Sequence, residues 1–221
     1  MVGGTLCKSY PWKICTRRQY GLDSQGGIRM RRLFIGVIAA LGMMGATVVS
    51  AATIDVTPAN PQPTGVKAGL KVSYFTGDRQ VRSLSAAKSR LKQSSKPGKP
   101  LKGFNYPDGG KNAAVLTSGI PELVVANISG YIKFDAPGVY DMEFFSNDGL
   151  QVWIGGKSVA KLDAVTPCAS AGRPKVNVPS AGWYELKAIY FQKEGTACLE
   201  SEWKKPGGSV QLIPNSAFGY K

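Results

Sequence analysis

Residues 138–156, GVYDMEFFSNDGLQVWIGG, constrain the fold of this chain more than any other stretch. Two alternating apolar runs flank one polar Ser-Asn-Asp-Gly turn. Tyr140, Met142 and Phe144 share one face of the first run, and Leu150, Val152 and Ile154 share one face of the second, because side chains alternate with a period of two along a strand. Asn, Asp and Gly tolerate the left-handed backbone that a tight connection needs. The segment reads as a β-hairpin with a polar tip. Asn147 and Asp148 on that tip stand on a loop held by a rigid sheet, where binding residues tend to lie.

Further runs of strand character lie on either side: 69–75 (GLKVSYF), 128–134 (ISGYIKF), 181–191 (AGWYELKAIYF), 199–203 (LESEW) and a closing Ile213-Pro214. In this order, with the tip between them, they resemble the protective-antigen domain family, the β-sandwich of anthrax protective antigen, yeast flocculins and adhesins, and inserts in bacterial glycosidases. The resemblance implies an all-β fold, an antiparallel sandwich over residues 66–221. Val81, Leu84 and Leu91 fall at helical spacings, so one short helix is expected within 80–92, ended by Pro97-Gly98-Lys99-Pro100.

The first 52 residues are read apart from the domain. Met30-Arg31-Arg32, an apolar run from Leu33 to Met44 and the small residues before Thr53 form the three parts of a secretory signal peptide at 30–52. Residues 1–29 then form an upstream extension, with translation expected to start at Met30. A membrane-spanning helix is the competing reading of 33–52. Pro58, Pro61 and Pro63 mark 53–65 as a stiff linker. Export predicts a periplasmic or extracellular protein. In such an oxidising compartment the two cysteines left after processing, Cys168 and Cys198, are expected to pair, the alternative being two buried thiols.

The net charge of +14 falls to +8 once the seven basic residues and one acid before Thr53 are set aside. Nine basic residues lie between Arg79 and Lys111 against one acid, Asp108. Such a segment suits an anionic polysaccharide or membrane surface, or is simply a solvated loop. Export argues against nucleic acid as a partner.

The chain contains no His, which removes His-activated nucleophiles and imidazole metal sites. Asp141 and Glu143 share a strand face opposite Tyr140, Met142 and Phe144, which makes them a solvent-facing pair rather than the two carboxylates of a glycosidase. No catalytic residue is assigned, and a non-enzymatic protein is expected. What remains is binding. In the yeast lectins of the resembled family an Asp-Asp pair at the tip and an Asn from a second loop hold calcium, which holds sugar hydroxyls. The matching residues here are Asn147, Asp148 and Gln192, with Glu194 close by. One carboxylate fewer and the adjacent Lys193 should weaken calcium binding; the alternative is that the pair only makes the turn. Trp153 alternates outward, either to stack on a sugar ring or to pack under the Cys168 loop. The resemblance implies a glycan or cell-envelope polysaccharide as partner. A structural subunit of the envelope that binds protein, through the basic segment or a sheet face, is the competing reading.

Overall fold

The computed structural model describes residues 52–221. The upstream extension and, but for Ala52, the signal segment lie outside the described residues. The elements run β1 (Thr53–Asp55), β2 (Lys67–Ala68), β3 (Lys71–Thr76), α1 (Leu84–Gln93), β4 (Lys96–Pro97), β5 (Asn105–Tyr106), β6 (Val124–Phe134) and β7 (Gly138–Asn147). They continue with β8 (Gly149–Ile154), β9 (Lys157–Leu162), β10 (Ala169–Gly172), β11 (Lys175–Val178), β12 (Gly182–Gln192), β13 (Cys198–Lys204), β14 (Val210–Leu212) and β15 (Phe218–Tyr220). Two sheets make a sandwich. The smaller has the order β1-β11-β7-β13-β14, with β10 and β5 attached; the larger has β2-β15-β6-β12-β8-β9, with β3 beside β6 and β4 beside β3.

Alternation explains the core. Tyr140, Met142, Phe144, Val176, Leu199 and Trp203 point inward from the smaller sheet, and Ile128, Ile132, Phe134, Leu150, Val152, Ile154, Tyr184 and Leu186 from the larger, all essentially without solvent contact. Phe134 is the hub of an aromatic cluster with Tyr140, Tyr184 and Trp203, its ring centroid 4.8–5.9 Å from theirs, where edge-on contacts add to area burial.

The hairpin expectation is corrected. β7 pairs with β10, β11 and β13 in one sheet, whereas β8 pairs with β12 and β9 in the other. The polar turn is therefore a corner that carries the chain across the core. A period of two records that each strand buries one face, and both arrangements satisfy it equally. At this corner Gly149 passes so close to Phe191 that a Cβ would sit 2.1 Å from the ring, which excludes any side chain.

The linker expectation also changes. β1 pairs in parallel with β11, Val56 is buried, and Gln62 clasps Trp183 through both of its backbone polar groups. Residues 53–62 are thus docked on the sandwich. The helix forms at 84–93, where Ser83 caps its start by accepting from the Ala86 N–H. It lays Leu84 and Ala87, with Val81 ahead of them, on Val125 and Phe191 of the larger sheet's outer side.

Candidate functional site

The corner between β7 and β8 holds the cluster of buried polar groups. Asn147, Asp148 and Gln192 are 5%, 2% and 2% exposed. The peptide bond joining Asn147 to Asp148 is cis. Asp148 is held from three sides by main chain. Its N–H donates to the Phe191 carbonyl at 3.0 Å, its Oδ1 accepts from the Thr166 N–H at 2.8 Å, and its Oδ2 accepts from the Lys193 N–H at 2.7 Å. Burial nevertheless pushes its carboxyl above the usual range, with those two donors and the Lys193 charge opposing. The Tyr190 hydroxyl, pushed far up by full burial, stays protonated and donates to the Asn147 carbonyl at 2.6 Å.

Thr196 gathers the two amides. The Asn147 Nδ2 donates to its Oγ1 at 3.3 Å and the Gln192 Nε2 to its carbonyl at 3.2 Å. The opposite ends of both amides, Asn147 Oδ1 and Gln192 Oε1, are buried and accept from nothing. A buried acceptor without a donor is costly, so each of these two oxygens calls for a partner from outside the chain, a water or an ion. Asp108 approaches from the basic segment, its carboxyl held below the usual range by the Thr196 hydroxyl and the Gly110 N–H.

Two orphaned carbonyl oxygens beside a desolvated carboxylate fit a hard cation, which binds through oxygen ligands and would lower the raised carboxyl. Among the described residues there is no group of three or more His, Cys, Asp or Glu side chains that could hold a metal ion, so the amides must supply the balance.

The sequence reading named five binding residues, and the fold unites three. Glu194 lies at the margin, bound to Arg79 at 2.7 Å and Lys193 at 3.0 Å, which hold its carboxyl below the usual range. Trp153 is elsewhere: five residues along β8 is roughly 16 Å. Its outward orientation is as expected, but its neighbour is Lys88 of α1, whose ammonium lies 5.2 Å from the ring centroid, and not the Cys168 loop. Asp141 and Glu143 do face outward, matched to Lys175 and Arg173. Thr166, Thr196 and Asp108 were missed, since Thr166 acts through its backbone, Thr196 lies just past the named part of the second loop and Asp108 comes from a distant segment.

Cys168 and Cys198 form a disulfide. Cys198 stands opposite Asn147 in the β7–β13 ladder, and Cys168 follows Thr166 by two residues. The bond therefore fastens the loop that holds Asp148 to the strand beside the corner. In the basic segment, Arg79 and Arg90 are spent on Glu194 and Asp78, while Lys92, Lys96, Lys99 and Lys102 make no ion pair among the described residues.

Residues 117–217 match the PA14 domain, the protective-antigen family. Among solved structures, the PA14 domain of the MpAFP antifreeze protein is similar at a TM-score of 0.59 and 15% identity, with 74% of this chain and 96% of that one covered. The PA14 sugar-binding domain of an RTX adhesin follows at 0.56 and 14%, covering 70% and 99%. The A domain of epithelial adhesin 9 from Candida glabrata, solved with Galb1-4GlcNAc, is similar at 0.52 and 13%, covering 74% and 92%. At these identities the likeness establishes the fold. No curated protein matches the chain.

Proposed function

We propose that this chain, whose residues 117–217 match the PA14 domain, is an exported, non-enzymatic module that binds carbohydrate at the Asn147-Asp148 corner with the help of calcium. The observation that carries this reading is the pair of buried, donorless oxygens, Asn147 Oδ1 and Gln192 Oε1, beside the Asp148 carboxylate. These three side chains would hold the ion. A bound calcium supplies positive charge for sugar hydroxyls to coordinate. The protein contributes a corner whose main-chain donors keep Asp148 in place and whose disulfide suits an oxidising compartment. Sugar binding by similarly folded adhesin domains supports the reading at family level.

Glycan-array binding by the full chain, with calcium and with a chelator, tests it. The informative variant is Gln192→Met, which removes one orphaned oxygen and only one hydrogen bond, leaving the Asp148 scaffold intact. Calcium-dependent binding lost in Gln192→Met is the expected result; binding indifferent to chelator overturns the calcium role, and none in any condition overturns the lectin reading.

A second reading, an envelope subunit that binds protein, has its own observation. β14 pairs only with β13 and exposes Val210 at 63% and Leu212 at 44%. Such an open apolar edge can accept a further strand. A pull-down lost on Leu212→Lys but kept on Gln192→Met would favour it.

A further inference from the structure

The outer face of the larger sheet carries a second polar surface, remote from the corner. Strand register sets Lys71, Ser129, Lys187 and Trp153 in one row across β3, β6, β12 and β8. Neighbouring strands lie about 4.8 Å apart, so the row spans roughly 14 Å. Two steps along the strands Lys133 stands opposite Trp183, with Tyr131 and Glu185 between the rows. Three depressions of about 370, 240 and 440 Å³ follow this face; the first and second share Glu185 and Lys187, the second and third Lys71 and Ser129, and the first and third Asn127. None is a closed cavity for a small molecule; together they form a shallow channel.

The chemistry of its floor is specific. Partly exposed Trp153 carries Lys88 on its ring face at 5.2 Å, where the ammonium also donates to Gln151 Oε1 at 2.9 Å, and outside the depressions Lys133 lies 6.0 Å from the Trp183 ring. Rings so occupied are not free to stack on a neutral sugar; they hold ammonium groups in place over an apolar bed. Lys71, at the far end of the row, and Lys187, beside Trp153, are exposed, and Glu185, 3.5 Å from Lys187, is the sole acid among the outward residues of β3, β6, β8 and β12. Asn127, Ser129 and Tyr131 add hydroxyl and amide groups. Separated cations, polar groups and an elongated trough match a thread with regularly spaced anions. The large apolar side chains that line the trough, Trp153 and Ile189, are only partly exposed, which argues against insertion into a lipid surface.

We propose that this face is a binding channel for an acidic polysaccharide of the uronic-acid class, laid across the strands from Lys71 to Trp153. Carboxylates pair with Lys71, Lys187 and Lys88, and sugar hydroxyls meet Asn127, Ser129 and Tyr131. The channel is independent of the corner site and needs no metal.

The test is calorimetric titration of the full chain with polygalacturonate and with the same polymer fully methyl-esterified, which keeps the backbone and removes the charge. Binding of the acid form alone is expected, weakened by salt and about tenfold weaker in Lys71→Gln/Lys187→Gln. The control pair Lys92→Gln/Lys102→Gln, with equal charge loss elsewhere, should change affinity by less than about twofold. Gln192→Met should bind as the parent does, which separates this channel from the corner site. Equal binding of the ester, equal loss in the control pair, binding only to vesicles containing anionic phospholipid, or no binding at all each overturns the proposal.

Discussion

At the β7–β8 corner, polar atoms are taken out of water and held by main-chain donors, whereas on the outer face of the larger sheet the charges stay in water on stems laid over indole rings. The first arrangement is held by main-chain donors and leaves two acceptors to be met from outside the chain, by a water or an ion. The second has few buried polar atoms to satisfy and presents several cations at once. Removing one partner from a buried set strands the others, while removing one exposed cation mostly lowers a sum. The corner should therefore respond to single changes steeply and the face by degrees.

Removing the disulfide should break this contrast most severely. Replacing both Cys168 and Cys198 with Ser frees a loop of about 30 residues and should lower stability by about 3–4 kcal/mol, read as a drop in the urea midpoint, with calcium-dependent glycan binding reduced as well. Lys71→Gln/Lys187→Gln should leave that midpoint nearly unmoved. Next in size is Asp148→Ala, which strands the Thr166 and Lys193 N–H groups and should cost about 2–3 kcal/mol; a fall below about 1 kcal/mol would mean that water replaces the carboxylate easily. For this reason Asp148→Ala is a stability probe and Gln192→Met the binding probe.

A pH titration sharpens the comparison further. Asp148 has its folded-state carboxyl raised by burial, so the native protein binds that proton more tightly than the unfolded chain. Its contribution to stability is most favourable below the ordinary Asp value and is lost as pH rises through the raised one. Cation binding runs the other way, weakening as pH falls through the raised value, since the ion needs the carboxylate. Calcium titrations followed by the Thr166 and Lys193 amide resonances should show that loss at a higher pH than an exposed aspartate would give. The smallest effect is expected at the face: substitution of Lys71 and Lys187 should change stability by no more than about 0.5 kcal/mol, and a larger loss would mean these lysines are structural.

The sandwich was legible wherever one strand face is buried. Tyr140-Met142-Phe144 and Leu150-Val152-Ile154 alternate cleanly, and all six are buried. What the alternation could not carry was the partner of each strand, because pairing is decided by distant segments: β13 and β11 claim β7, and β12 claims β8. The parallel strand β1 was hidden for the same reason, three residues at a Pro-rich edge whose mate lies at Lys175–Val178. In the site, Asn147, Asp148 and Gln192 were legible through resemblance to a known turn and its second loop. Thr166 holds Asp148 with a backbone N–H, which any residue but proline supplies, and so left no trace in composition. Trp153 pointed outward as its parity demanded, yet the lysine over it arrives on a helix whose docking only the folded chain reveals.

One covalent feature also governs how the molecule wears. Cys168 and Cys198 bracket β10, β11 and β12, so the backbone between them runs through both sheets before returning to the bond. At the turn between β10 and β11, Arg173 has its side chain 77% exposed but is followed by Pro174, which blocks trypsin-like cleavage, so a cut in this turn needs a protease of other specificity. Cleavage there would yield two pieces that still migrate as one band on a non-reducing gel and part only on reduction, with β12 still hydrogen-bonded between β6 and β8. A nick in this stretch would leave the molecule whole in a protease-rich setting.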